Sequence, residues 1–322
     1  MDSIIEVVNV SKRFNNFIVF DQVSFSVEKG SILGLIGKSG CGKTTLLNML
    51  VGFLKPNSGD IYYNKDPIHK LNNEFKKKVG FAAQEGSFYK NLSVVENLNY
   101  FAKLYGISRE DRRSRIQSLL EILDLRGTED LYGGNMSIGM QKRLDLACSL
   151  IHDPELLFLD EPTANLDPTL RRNMMELIKR INETGTTIII SSHILEDINQ
   201  LCNKILVISN KRVITFENPK EIKLELKKNE LIKIETELGN YKSLLDSLFQ
   251  TGLIEDYRLD EKSLLLFAKD TRNLLKYLNQ YYSNCDDNLI HMDLVKIPLE
   301  VIFNNMYRKA IYNEESKKRG IY

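Results

Sequence analysis

Residues 37–44 read GKSGCGKT, set between the apolar run SILGLI (31–36) and the helix-like run TTLLNMLVG (44–52). The spacing is G-x-x-x-x-G-K-T, the pattern of a loop whose backbone wraps a phosphate group. Gly37, Gly40 and Gly42 permit backbone conformations and close approaches that a Cβ would block. The N–H groups of such a loop point inward and form a concave anion site. The helix expected to start near Lys43 adds the positive end of its dipole. Lys43 can reach the β and γ phosphates, and the Thr44 hydroxyl can bind Mg²⁺. Candidate nucleotide contacts are therefore Gly37, Lys38, Ser39, Gly40, Cys41, Gly42, Lys43, Thr44 and Thr45. Cys41 is read as a small residue that fits the turn, not as a reactive thiol. The loop alone implies a nucleoside triphosphate and leaves kinases, GTPases and ATPases open.

The bulk properties narrow the setting. The chain has 322 residues, enough for two domains, with 43% hydrophobic and 27% charged residues, as in a globular protein. A net charge of +1 gives no sign of a nucleic-acid partner. Cys41, Cys148, Cys202 and Cys285 form no CxxC pair, which argues against a disulfide framework or a zinc site and fits a reducing compartment. The first residues, MDSIIEVVNV, lack the pattern of a signal peptide, and no stretch reaches the 18 or so apolar residues of a membrane span. Any action at a membrane is then expected to run through a partner.

The second landmark is LLFLDEPTANLDP (156–168). Leu156 to Leu159 read as a fully buried parallel strand, which ends in two acids. Carboxylates in that position sit where doubly wound sheets bind ligands. Asp160 is expected to hold Mg²⁺ through water, and Glu161 to face an attacking water.

Between the two lies NMSIGMQKRLDLACSLIHDPE (135–155). Ser137 reads as the cap of a helix whose N-terminus can meet a phosphate. This stretch resembles the signature helix of ATP-binding cassette (ABC) ATPases, whose pattern is L-S-G-G-Q. Here it is Met136-Ser137-Ile138-Gly139-Met140. Ser137 and Gly139 keep the positions that touch ATP in that family. The hydrophobic residue at the first glycine resembles a variant found among drug and antibiotic exporter subunits. The other family landmarks follow in order. KRF (12–14) looks like the aromatic loop, with Phe14 on adenine. GFAAQEGSFYKNLSVVENL (80–98) resembles the glutamine loop, with Gln84 on Mg²⁺ or water. Ala164 to Asp167 resembles the loop in which Asp167 crosses a dimer interface. TTIIISSHILEDI (186–198) resembles the switch loop, with His193 on the γ-phosphate.

The resemblance covers residues 1 to about 220. It implies a phosphate-loop (P-loop) NTPase α/β core over residues 1–222, with a helical insert at about 88–150. It also implies ATP and Mg²⁺ as cofactors, a second cassette (a homodimer) as partner, and multi-span permease subunits at the cytoplasmic face of a membrane. The subtype suggests an exporter of hydrophobic compounds, antibiotics or lipids. An importer ATPase and a soluble ABC ATPase acting on ribosomes or DNA are the alternatives, though the chain has one phosphate loop and no long heptad run.

Beyond a lysine-rich link (218–230), the pattern reads strand 231–238, helix 241–252, two strands in 255–269, helix 271–283 and strand 288–297. That βαββαβ order is ferredoxin-like. It predicts a smaller α+β accessory domain over 223–303, where His291 is read as structural and IPLEVIF (297–303) loosely resembles a terminal exporter-subunit motif. A polar tail, 304–322, follows.

Overall fold

The computed structural model describes residues 2–209, 211–216, 230–260, 263–285 and 287–296. The chain divides into two compact units, Met1–Pro219 and Lys220–Tyr322.

The first unit holds two sheets. β1 (Ser3–Phe14), β2 (Phe17–Glu28), β4 (Ser58–Tyr63) and β5 (Asp66–Pro67) form an antiparallel sheet in the order β2-β1-β4-β5. β3 (Ile32–Ile36), β6 (Val79–Ala82), β7 (Leu156–Asp160), β8 (Thr187–Ser192), β9 (Lys204–Ser209) and β10 (Arg212–Phe216) form the other, in the order β10-β9-β3-β8-β7-β6. All pairs in this second sheet are parallel except β10 with β9. The sequence dictates this arrangement. β3, β7 and β8 read ILGLI, LLFLD and TIIISS, and every residue in them is buried. Strands covered on both faces cannot alternate polar and apolar side chains. Truncating one of them, as in Leu157→Ala, would cost about 2–5 kcal/mol of stability.

The helices are α1 (Lys43–Leu50), α2 (Ile68–Lys77), α3 (Val94–Leu104), α4 (Arg109–Ile122), α5 (Ile138–Leu150), α6 (Pro168–Glu183) and α7 (Leu195–Leu201). α1 ends sooner than the apolar run after the loop suggests, because Gly52 takes φ +81° directly after the Val51 cap. α3 opens on a reciprocal capping box between Ser93 and Glu96. α6 opens on the Asp167 side chain, which accepts from the Thr169 and Leu170 N–H groups, with Pro168 in the first helical position. α3, α4 and α5 lie within the span of about 88–150 expected for a helical insert. Among the described residues no helix is long and apolar enough to cross a membrane.

The second unit carries β11 (Glu230–Thr236), α8 (Lys242–Thr251), β12 (Ile254–Asp260), β13 (Ser263–Ala268), α9 (Thr271–Tyr282) and β14 (Leu289–Lys296). Its sheet is antiparallel, in the order β12-β13-β11-β14, the ferredoxin-like order. α8 stops at Gly252, which adopts φ +65°. Ile232, Ile234, Leu264 and Leu266 pack against Leu244, Leu248, Leu274 and Leu278 as a core of its own. His291 pairs with Asp293 at 2.7 Å on the sheet surface. The motif at 297–303, the tail at 304–322 and the link at 218–230, apart from Glu230 at the start of β11, lie outside the described residues.

Candidate functional site

The loop between β3 and α1 is shaped by its glycines. Gly42 caps α1 at φ +110°, and a Cβ there would lie 2.7 Å from Val19 and 2.8 Å from Phe20. A Cβ on Gly37 would meet the Cys41 sulfur at 2.5 Å and the Ile208 carbonyl oxygen at 2.8 Å. No side chain fits either position, so the loop stays a backbone cradle, as a phosphate requires. Lys38, Ser39, Gly40 and Thr44 are exposed, Thr45 and Cys41 half-buried. Burial pushes the Cys41 thiol up, against the opposing pull of the Lys43 charge. Cys41 packs against the core, in keeping with its bland reading.

Lys43 is only 8% exposed. Its Nζ donates to the Gly37 carbonyl at 2.9 Å and lies 3.3 Å from Glu161 Oε1. The Thr44 hydroxyl donates to Asp160 Oδ2 at 2.7 Å. Ser191, from β8, donates to Asp160 Oδ1 at 2.6 Å and accepts from the Glu161 N–H at 2.9 Å. His193 Nδ1 lies 2.8 Å from Glu161 Oε2. A carboxylate only accepts, so this pairing places the ring proton on Nδ1. Asp160 and Glu161 are 3% and 6% exposed, so both carboxylates are buried and both are fully partnered. Glu161 also sits at φ +51°, a backbone position uncommon for a non-glycine residue and met at active sites.

Three strands thus bring the phosphate loop, the acid pair and the histidine to one edge. Ser191 was not among the residues singled out from sequence. A serine before a histidine carries no signal until the parallel register places Ser191 opposite Asp160.

Gln84 lies two residues beyond β6 and is exposed. Ala82 pairs with Leu159, which sets the Gln84 turn beside the acid-bearing end of β7. Two residues of α5 that sequence did not single out grip this turn. Lys142 Nζ donates to the Gln84 carbonyl at 2.7 Å, and the Asp145 carboxylate accepts from the Ser87 N–H. Phe14 is 47% exposed at the end of β1, which removes core packing as its reason. The Lys12 ammonium stands 5.1 Å from its ring centroid and also donates to the Lys55 carbonyl at 2.7 Å.

Ser137 caps α5 and accepts from the Met140 N–H at 3.3 Å. Ser137 and Asp167 are exposed, and Ile138 is 55% exposed. Gly139 is buried against Leu170, where a Cβ would stand 3.4 Å from that side chain.

For a divalent cation the nearest donors are the Thr44 hydroxyl and the Asp160 carboxylate. Both are hard oxygen ligands suited to Mg²⁺, which is commonly held by one or two protein oxygens together with substrate phosphates. Among the described residues no group of three or more His, Cys, Asp or Glu gathers as a self-sufficient metal cage.

The family profile described as "ABC transporter" matches residues 20–164. The Nod factor export ATP-binding protein I of Cupriavidus metallidurans is 32% identical over 288 residues, covering 87% of this chain and 91% of that protein. The chain belongs to the ABC transporter ATP-binding proteins. The linearmycin resistance ATP-binding protein LnrL of Bacillus subtilis is 30% identical over 309 residues, 94% of this chain and 98% of its own length. Both alignments are too long to end with the first unit, so they extend past the cassette. Among solved structures, cbiO1 from Clostridium perfringens, part of the ABC transporter complex cbiONQ, superposes with a TM-score of 0.65 at 27% identity. It covers 70% of this chain and 92% of that one. The cassette is an ATPase of this family, with a P-loop NTPase core.

Proposed function

We propose that this cassette binds and hydrolyses Mg-ATP as one half of a homodimer, and that the dimer powers export through separate multi-span membrane subunits at the cytoplasmic face of the membrane. The observation that carries the ATPase assignment to particular residues is the convergence of Lys43, Thr44, Asp160, Glu161 and His193 at one edge of the parallel sheet.

Each residue has a role that follows from its surroundings. The loop amides and Lys43 hold the phosphates, Phe14 offers a ring face to adenine, and Thr44 and Asp160, with Gln84, would hold Mg²⁺. The bound ion would neutralise charge on the phosphate oxygens. Glu161 accepts a proton from, or orients, the water that attacks the γ-phosphate. His193 is tied to Glu161 and can follow the γ-phosphate. Ser137 is exposed at the tip of α5 with Gly139 buried just behind it, and in this reading their contact with ATP comes from a second copy, with Asp167 at the shared interface.

Contact with membrane subunits is supported by a groove of about 260 Å³ lined by Phe53, Phe81, Ser87, Phe101 and Tyr105 among others. Half-exposed aromatics around a concave apolar floor suit an inserted helix from a partner. Relatives named for Nod factor export and linearmycin resistance support an exporter role.

The test is recovery of tagged Glu161→Gln protein from membranes in Mg-ATP. A polytopic membrane protein in stoichiometric amount is the expected result. Ribosomes or DNA-associated proteins, with the chain in the soluble fraction, would overturn the export role and leave the ATPase chemistry standing.

A further inference from the structure

Helix α5 does more than carry Ser137 at its tip. Lys142 and Asp145 stand three residues apart, on one side of the helix, and both reach the turn after β6. Lys142 donates to the Gln84 carbonyl at 2.7 Å, and Asp145 accepts from the Ser87 amide. The turn bends around the carboxyl: Gly86 is at φ +83°, and a Cβ there would come within 4.0 Å of Asp145 Cγ. Asp145 is 2% exposed. A carboxylate at that depth is costly and persists where its partners are fixed. Both bonds go to backbone atoms, so they hold the path of the chain whatever the side chains of the turn do.

The turn has two neighbours. Gln84 lies beside the acid end of β7, while Ser87 lines the groove of about 260 Å³ together with Phe101, Cys148 and Ser149. Cys148 and Ser149 belong to α5 itself. One helix therefore starts at Ser137, grips the turn halfway along and ends as a wall of the groove.

We propose that Lys142 and Asp145 are positioning residues that clamp the Gln84–Ser87 turn to α5, so that the Ser137 end, the Gln84 side chain and the groove floor move as one body. The clamp rests on the ATPase roles given above and specifies how the site is regulated. When α5 shifts, Gln84 shifts with it, and the groove reports the same displacement to whatever it holds.

The test uses the full chain with Mg-ATP and four variants. In Asp145→Ala and Lys142→Met, kcat should fall roughly 10-fold or more while KM for ATP stays within about twofold, as for a small displacement of a catalytic group. In Asp145→Ala the Ser87 amide should also lose protection from hydrogen exchange. Asp145→Asn keeps an acceptor for Ser87 and should restore both. Wild-type kcat in Asp145→Ala and in Lys142→Met would overturn the clamp. So would a loss in Asp145→Ala that Asn fails to rescue and that follows a general drop in melting temperature. Should Asp145→Ala not fold, Lys142→Met and Asp145→Asn decide alone. Glu161→Gln separates the two levels: unaltered hydrolysis in that variant would overturn the ATPase roles, whereas loss there with no effect at Lys142 and Asp145 removes only the clamp.

Discussion

The two surfaces assigned to ATP are built in opposite ways. On the phosphate-loop side Lys43, Asp160 and Glu161 are buried and each has a partner within the chain: Lys43 with Gly37 and Glu161, Asp160 with Thr44 and Ser191, Glu161 with His193. On the signature side Ser137 is exposed, and its hydroxyl accepts from the Met140 N–H of its own helix. A network that satisfies itself holds its geometry before any ligand arrives. An exposed helix N-terminus holds only a direction of dipole. The first surface is therefore preorganised, and the second, in the proposed homodimer, is the half of a site that a second copy would complete.

The strongest way to break that contrast is to disarm the preorganised side. Glu161→Gln should slow phosphate release about 10²–10⁴-fold, the usual contribution of a general base. Equilibrium binding of ATP should survive, and a stable dimer should appear in Mg-ATP on size-exclusion chromatography. Turnover at the wild-type rate would remove Glu161 from its role.

Lys43→Ala comes next. Charge-assisted hydrogen bonds contribute about 1.5–3 kcal/mol, so ATP affinity should weaken roughly 10–150-fold. Isothermal titration reads this directly, and unchanged affinity would contradict the cradle.

The completing side is tested by mixing copies. Ser137→Phe and Lys43→Ala should each be nearly inactive alone. An equimolar mixture should recover roughly a quarter of wild-type turnover, because half the dimers are mixed and each holds one intact site. No recovery would mean that Ser137 and the phosphate loop serve the same copy.

The smallest effect concerns stability. Burial raises the Asp145 carboxyl to about 6, against the opposing pull of the Ser87 amide and Lys142. A raised folded-state pKa favours the protonated form. That contribution is fully present below the ordinary carboxyl value of 3.8 and is lost as pH rises through about 6. Asp145→Asn should accordingly raise the melting temperature at pH 7.5, by about 1–3 kcal/mol of stability, and leave it unchanged near pH 3.5. His152 works in the other direction. Burial lowers it to about 4, so the folded protein keeps the ring neutral below the ordinary 6.5, and the stability this contributes declines as pH falls from 6.5 through about 4. The difference between variant and wild type isolates Asp145 from this opposing trend. An equal shift at both pH values would show that packing, not charge, sets it.

Much of the site was legible because its chemistry lies in contiguous stretches. A phosphate cradle needs glycines at fixed spacing, and a buried parallel strand that ends in acids has few other uses, so GKSGCGKT and LLFLDEP announce themselves. The second unit was legible through strand and helix periodicity alone, and its observed elements fall within a residue or two of the expected ones. What adjacency cannot encode stayed hidden. Ser191 matters because β7 and β8 run in parallel register and set it opposite Asp160. Lys142 and Asp145 read as ordinary polar positions of a helix, and only the packing of α5 beneath the β6 turn gives them partners 58 residues away in the chain. Spacing along the chain decides which backbone shapes are allowed locally, and those fix the cradle and the strand ends. Contacts between segments distant in sequence arise only when the core brings the segments together, so the partners of each buried charge were settled by the tertiary structure.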